Sequence, residues 1–172
     1  MLIRGINHIT LKVRDLPASD RFYREILDLR PVGKRPGMLF YSAGAHHHDL
    51  ALLQVGPGAA SPASHQTGLA HFCLNVVDEA ALTVLYRKCL DAGIVVSDGV
   101  SHTVMHAFYA LDPDGHVVEL GVDTPAETWA DTLNPYAADK PYQLAFTQDD
   151  QARFFALTQS CIKDALSCLL RI

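Results

Sequence analysis

The amino-acid sequence predicts an α+β fold built from two copies of one β-α-β-β-β module. The first observation is a repeat, in which residues 5–15 and 68–78 share Gly, His, Leu, Val and Asp at a constant offset of 63 positions. The second observation is that a helical pattern and three short strand patterns follow each copy. We therefore expect the two modules to pair into one cup-shaped sheet, with a C-terminal helical extension.

The first module is predicted to cover residues 1–55. One face of its opening strand carries the apolar residues Ile9, Leu11 and Val13. His8 falls on the opposite face, because side chains alternate along a strand. A helix is expected over 17–28, since Pro17 suits a first helical turn and an apolar stripe follows it. Further strands are predicted at about 29–34, 37–43 and 48–55.

The second module is predicted to cover residues 68–122 and to repeat this order. The apolar face of its first strand carries Phe72, Leu74 and Val76, and His71 lies opposite. A helix is expected over 79–91, with Gly93 as its C-terminal stop. Further strands are predicted at about 94–97, 104–111 and 116–122. The sequence Asp-Pro-Asp-Gly at 112–115 indicates a turn between the last two.

Two segments lie outside the modules. Residues 56–67 are rich in Gly, Pro, Ala and Ser, which is typical of a linker. Residues 123–172 form an extension that is expected to be irregular at 123–147 and helical at 148–170. One side of this helix is apolar, which predicts packing on the body of the protein or on a sister subunit in a homo-oligomer.

Composition excludes several classes of function. The net charge is −5 and there is no run of Lys and Arg, so we expect no nucleic-acid partner and no anionic membrane partner. There is no apolar run of 18 residues to span a membrane and no pattern of a signal peptide, which predicts a cytoplasmic protein. The four cysteines form no CxxC pair and are expected to be buried, reduced thiols.

Two histidines and a glutamate are candidate metal ligands. His8 and His71 occupy the same position of the two repeats, so paired modules would point both imidazoles into one cavity. Glu119 is a carboxylate within an apolar strand, where burial is costly without a partner or a metal ion. Two histidines and one carboxylate form the facial triad typical of non-haem Fe(II) oxygenases, although Mn(II) or Zn(II) would also bind. The alternatives are core histidines and a surface glutamate on an edge strand.

The first module does not offer a fourth ligand at the position equivalent to Glu119. Alignment of Leu50–Val55 with Val117–Val122 places Leu52, within one position, opposite Glu119. A metal ion held by three protein ligands keeps positions open for substrate and dioxygen.

With this module order and ligand order, the sequence resembles the vicinal oxygen chelate superfamily. That group includes glyoxalase I, fosfomycin-resistance proteins and extradiol ring-cleavage dioxygenases. The resemblance covers residues 1–122 and is greatest to the extradiol catechol dioxygenases. It implies paired modules around a metal site, with His8, His71 and Glu119 as the ligands.

The resemblance to extradiol dioxygenases also implies a set of catalytic residues. His48, the last of three adjacent histidines before an apolar strand, matches the acid-base residue, with the register among the three left open. Tyr109 lies ten residues before Glu119, as does the substrate-contacting tyrosine of those enzymes. His102 matches their histidine that contacts substrate oxygen, and His106 is the next one along. The structural alternatives are a polar turn, a core tyrosine and surface histidines.

The function implied is an Fe(II)-dependent extradiol dioxygenase that acts on a catechol-type aromatic diol and dioxygen. One alternative is another reaction of the same scaffold, as in a glyoxalase-like lyase, an epimerase or a thiol transferase. A further alternative is a metal-free protein that binds a small molecule. The chain has two modules where typical extradiol enzymes have four, and its loop between His48 and His71 is longer than usual.

Overall fold

The computed structural model describes residues 1–44, 46–61, 65–136 and 139–144. They fall into two compact units, one within 1–62 together with 113–115, and one within 63–112 together with 116–172. The predicted helix at 148–170 lies outside the described residues. None of the described helices is long and apolar enough to cross a membrane.

The first unit contains a four-stranded mixed sheet and one helical segment. Its elements are β1 (Ile9–Val13), α1 (Leu16–Asp20), a π-helical turn (Arg21–Ile26), β2 (Arg30–Arg35), β3 (Met38–Ser42) and β4 (Leu50–Gln54). The strand order is β1-β4-β3-β2, with β1 parallel to β4 and the other pairs antiparallel. Leu11 and Val13 are buried, as the alternation predicts, and the exposed Lys12 lies between them.

The second unit repeats this arrangement and extends it. Its elements are β5 (Phe72–Asn75), α2 (Glu79–Asp91), β6 (Val100–Ser101), β7 (Met105–Leu111), β8 (Val117–Asp123), a 3-10 turn (Ala126–Thr128) and β9 (Lys140–Pro141). The strand order is β5-β8-β7-β6-β9, and β5 is parallel to β8. The predicted α+β fold with two β-α-β-β-β modules is confirmed.

The repeat continues into the helix caps. The Asp15 carboxylate accepts a hydrogen bond from the Ala18 backbone N–H at 3.3 Å, and Asp78 accepts one from Ala81 at 2.7 Å. An aspartate in this position satisfies a backbone donor that has no partner within the helix. Both capping pairs are related by the offset of 63, so the two helices begin at equivalent positions.

The first helix is less regular than predicted. Instead of one α-helix over 17–28, α1 ends at Asp20 and a π-helical turn follows. The Leu27 N–H reaches the Phe22 carbonyl at 3.0 Å, five residues back. This wider turn buries both Phe22 and Tyr23. An apolar face with the α-helical period of 3.6 residues does not predict that two adjacent residues are both buried.

The predicted strand at 94–97 is wrong. Val96 makes an isolated bridge with Ala110, and the strand forms later, at Val100–Ser101. The reason lies at Ser97, whose hydroxyl accepts the Tyr109 N–H at 2.9 Å. The Ser97 side chain accepts a backbone N–H that would otherwise donate to a carbonyl oxygen of a paired strand, so regular strand pairing stops there. A short strand, β9, also forms within 123–147, a range predicted to be irregular.

Candidate active site

Glu119 lies at the centre of the candidate site in the second unit. It sits in β8, where its register partners are Cys73 on β5 and Tyr109 on β7. Its neighbours Val118 and Leu120 are buried on the opposite face, and Glu119 itself is only 4% exposed. A buried carboxylate requires hydrogen-bond donors or a cation, so the groups around Glu119 decide what the site can do.

Two imidazoles face the two oxygens of Glu119. His71 Nε2 lies 3.3 Å from Oε2, and His102 Nε2 lies 3.3 Å from Oε1. Two ligands of one metal ion with bonds of about 2.0–2.2 Å are roughly 3–4 Å apart. The separation between His71 and Glu119 fits that range, and their donor atoms are the imidazole and carboxylate that Fe(II), Mn(II) and Zn(II) accept.

Tyr109 completes this cluster. Its hydroxyl lies 2.9 Å from His102 Nε2, and its ring packs edge-on against His71 with 5.5 Å between ring centres. Burial raises the pKa of Tyr109, and the negative charge of Glu119 raises it further. The phenol therefore stays protonated at neutral pH and remains able to donate a hydrogen bond.

His102 and His106, the two histidines considered for one role, have different surroundings. His102 contacts Glu119 and Tyr109, and its Nδ1 lies 2.6 Å from Asp139 Oδ1. His106 instead bonds Glu79 at 2.6 Å. His102 is therefore the one that lies beside the candidate ligand Glu119.

Two residues near the cluster were missed by sequence reasoning. Cys73 follows His71 by two positions, so alternation puts both on one face, and this signal could have been used. Cys73 is exposed, so its expected burial is wrong, whereas Cys89 is buried as predicted. Asp139 lies in the range expected to be irregular, and no sequence signal indicated its contact with His102.

The candidate residues of the first unit also lie together. The His8 ring is 4.4 Å from the His48 ring and 6.4 Å from the His47 ring. His48 also packs edge-on against Phe40 at 5.2 Å. His46 instead bonds Asp49 at 2.8 Å. Between His47 and His48, the ring of His48 is thus the nearer to His8.

The pKa of His48 lies below its ordinary value. Desolvation is the largest cause, followed by the neighbouring imidazoles of His8 and His47, while Asp49 acts in the opposite direction. These influences favour the neutral ring, which is the form that can accept a proton.

Strand register identifies the residue of the first module that corresponds to Glu119. Thr10 pairs with Ala51 in β1 and β4, and Cys73 pairs with Glu119 in β5 and β8. Since Thr10 and Cys73 are related by the offset of 63, Ala51 is the counterpart of Glu119. This lies within one position of the predicted Leu52, and alanine offers no ligand atom.

The full set of three ligands stays a prediction. Among residues 1–44, 46–61, 65–136 and 139–144, no group of three or more His, Cys, Asp or Glu side chains is arranged to hold a metal ion. His71 and Glu119 form a pair within the second unit. His8, the third predicted ligand, belongs to the first unit.

Comparison with known families agrees with the module order. The model of the Glyoxalase/Bleomycin resistance protein/Dioxygenase superfamily matches residues 5–120. The chain belongs to this superfamily. The resemblance inferred from the repeat and the ligand order is therefore confirmed, and the superfamily includes dioxygenases by its description.

Relatives within this superfamily differ in reaction. Biphenyl-2,3-diol 1,2-dioxygenase 3 of Rhodococcus globerulus is 33% identical over 125 residues, which cover 70% of this chain and 66% of that enzyme. This chain thus spans slightly less than two thirds of its relative's length. Glutathione transferase FosA of Serratia marcescens is 28% identical over 159 residues, which cover 87% of this chain and 99% of FosA. Sequence similarity alone therefore does not choose between the two reactions.

A solved structure shows the same fold. The glyoxylase/bleomycin resistance protein/dioxygenase domain from Frankia sp. EAN1pec superposes with a TM-score of 0.60 at 24% sequence identity. The match covers 71% of this chain and 99% of that domain.

Proposed function

We propose that this protein is a non-haem Fe(II)-dependent extradiol dioxygenase that cleaves a catechol-type aromatic diol with dioxygen. The observation that carries the proposal is the cluster around buried Glu119, in which His71, His102 and Tyr109 all face the carboxylate. A metal-binding pair alone would suit any reaction of the superfamily. A tyrosine and a second histidine beside it match the extradiol dioxygenases that the sequence resembles.

The proposed metal ligands are His8, His71 and Glu119. The donor set fits Fe(II), because two imidazoles and one carboxylate leave coordination positions for substrate. When bound, the iron would supply the redox chemistry of ring cleavage. Glu119 fits this role because a buried carboxylate at 4% exposure is stabilised by a cation.

The remaining groups of the proposed site would handle protons and orient the diol. His48 accepts a proton from a diol hydroxyl and returns it to the product, so the enzyme ends as it began. A positioned general acid-base group contributes about 10²–10⁴-fold to a rate. Tyr109 is held protonated, and its hydroxyl lies 2.9 Å from His102 Nε2. When a diol hydroxyl donates to Nε2 in its place, Tyr109 offers its hydrogen to a diol oxygen.

The experiment that tests this function is an oxygen-uptake assay on protein reconstituted with Fe(II) under anaerobic conditions. Catechol and biphenyl-2,3-diol are the substrates, and formation of the yellow ring-opened product is followed in parallel. We expect oxygen consumption and product formation to be equal in molar amount, since a dioxygenase places both oxygen atoms in one product. Iron-loaded protein that consumes no oxygen with any catechol would refute the proposal.

A thiol transferase is the second candidate. It is favoured by FosA, whose whole length this chain covers, whereas the chain spans about two thirds of the dioxygenase. This reaction would use the same three ligands but would not need the pairing of His102 with Tyr109. Glutathione consumption with an epoxide substrate, by protein that is inert toward catechols, would favour this candidate.

Protein that binds no metal under any condition would favour the metal-free binding protein.

A further inference from the structure

A short segment beyond the family match is joined to the edge of the second sheet. We call residues 139–144 the strap. Its strand β9 pairs antiparallel with β6, and the Tyr142 N–H donates to the Gly99 carbonyl at 3.0 Å. The superfamily match ends at residue 120, so the strap lies outside the segment that the family model matches.

Side chains fix the strap in place. The Tyr142 hydroxyl donates to Glu79 Oε2 at 2.6 Å, and its ring stacks on His106 with 3.8 Å between ring centres. Leu144 is 1% exposed. At Gly99, a Cβ atom would lie only 2.5 Å from the Tyr142 carbonyl oxygen. The strap therefore packs against a position where only glycine fits without displacement.

The first residue of the strap reaches the candidate site. Asp139 Oδ1 lies 2.6 Å from His102 Nδ1. A carboxylate can only accept a hydrogen bond, so Nδ1 must carry the proton. In the neutral imidazole, Nε2 is then an acceptor, and it faces the Tyr109 hydroxyl at 2.9 Å.

We propose that Asp139 is a positioning residue that fixes the orientation and the tautomer of His102. With the proton held on Nδ1, Nε2 has one lone pair, and it faces the Tyr109 hydroxyl. A diol hydroxyl that takes the place of the Tyr109 hydrogen then meets an acceptor instead of a second donor. The tautomer claim stands on the contacts of the second unit alone, and its meaning for catalysis rests on the proposed dioxygenase function.

The tautomer is measured by nitrogen NMR on metal-free protein labelled with ¹⁵N in the histidine rings, at alkaline pH. The His102→Gln variant assigns the His102 signals. We expect the proton on Nδ1 in the wild type and a shift of the proton toward Nε2 in Asp139→Ala. Asp139→Asn keeps an acceptor in its amide oxygen and should retain more of the Nδ1 form. A wild-type His102 protonated on Nε2, or an Asp139→Ala spectrum equal to wild type, would overturn the proposal.

Two further variants separate position from chemistry. Asp131→Asn removes an exposed carboxylate from the same part of the chain and should leave the His102 signals unchanged. Gly99→Ala keeps Asp139 but places a methyl group against the strap, so it should change the His102 signals as Asp139→Ala does. If Gly99→Ala changes them and Asp139→Ala does not, the strap acts through another residue and the proposal is wrong.

The catalytic consequence is read from steady-state rates of iron-loaded enzyme with catechol. Loss of a group that orients a site histidine costs roughly 10–100-fold in activity. We expect kcat of Asp139→Ala to fall about tenfold with KM changed little, and Asp139→Asn to recover part of it. An unchanged kcat would overturn the catalytic part. If wild-type protein turns over no catechol while the tautomer still depends on Asp139, the proposed function fails and the assignment of Asp139 stands.

Discussion

The two modules share one backbone plan but carry different chemistry at equivalent positions. In the second module, β8 presents Glu119 between His71 and Tyr109. In the first, register puts Ala51 at the position of Glu119, and Ala51 pairs with Phe40, the counterpart of Tyr109. The two modules thus share the backbone arrangement and the histidine before the first strand. Glu119 and Tyr109 of the second module have Ala51 and Phe40 at their equivalent positions in the first.

The first module has a different group near its histidine. His48 lies in the loop before β4, and its ring packs between His8 and Phe40. We infer from this difference that the two modules have different roles. The second module would supply two of the three metal ligands, and the first would supply the proton-transfer group. Exchange or removal of matched residues in the two modules tests this difference.

The largest effect is expected at His48. His48→Phe should leave iron bound, because His48 is not a proposed ligand, while oxygen uptake with catechol falls at least about 10²-fold through loss of the acid-base group. His46→Phe is the matched control and should be nearly silent, because His46 bonds Asp49. His47→Phe should have an intermediate effect, because the His47 ring contacts His48 and lowers its pKa. If all three variants turn over catechols at the wild-type rate, the first module does not supply the proton-transfer group.

A smaller effect is expected from exchanging the paired aromatic residues. Tyr109→Phe removes one hydrogen bond, worth on the order of 1 kcal/mol or more, so catechol turnover should fall about tenfold. Phe40→Tyr adds a hydroxyl to the equivalent ring of the first module and should change turnover less than Tyr109→Phe does, because the strand partner of Phe40 is Ala51 and not a proposed ligand. Equal effects of the two variants on kcat would contradict the difference between the modules.

The helix caps test where the modules are alike. Asp78→Ala should lower the free energy of unfolding by about 1 kcal/mol, since it removes a capping hydrogen bond. Asp15→Ala should cost less, because its bond to Ala18 is 3.3 Å long and that of Asp78 to Ala81 is 2.7 Å. Urea unfolding measures both values, and a larger loss at Asp15 would reverse the expected order.

The smallest effect concerns a charge that the first helix has and the second lacks. A hydrogen bond from Arg24 holds the pKa of Asp20 below its ordinary value of 3.8 despite partial burial, and Tyr41 contributes a second bond. A lowered pKa in the folded state stabilises the protein above pH 3.8, and this stabilisation is lost as the pH falls through the folded-state pKa.

Asp20→Asn should therefore cost about 1 kcal/mol or less at pH 7, because partly exposed ion pairs are screened. The difference from wild type should shrink as the pH falls below 3.8 and through the lower folded-state pKa of Asp20. Thr83→Ala, at the equivalent position of α2, should show no such pH dependence. Urea unfolding at several pH values checks both, and a pH-independent loss at Asp20 would show that its charge is not the cause.

The sequence predicted the features that depend on local periodicity and on the repeat. Alternation placed the buried faces of β1 and β5, and Gly93 marked the end of α2. Sequence patterns gave a wrong prediction where a side chain replaces a backbone hydrogen-bond partner. Ser97 does this within the predicted strand at 94–97. The contact between Asp139 and His102 was also not predicted. The two residues are 37 positions apart, and neither the strand or helix periodicity nor the repeat relates them.

We propose that His8, His71 and Glu119 hold one metal ion, with one ligand from the first module and two from the second. The most direct test of this proposal is the iron content of protein reconstituted anaerobically with Fe(II). We predict about one iron per chain in the wild type and in His65→Ala, an exposed histidine that serves as the control. His8→Ala, His71→Ala and Glu119→Gln should each lose most of the metal, because two remaining ligands bind it poorly. A His8→Ala protein that keeps iron as the wild type does, or wild-type protein that takes up none, would contradict the claim.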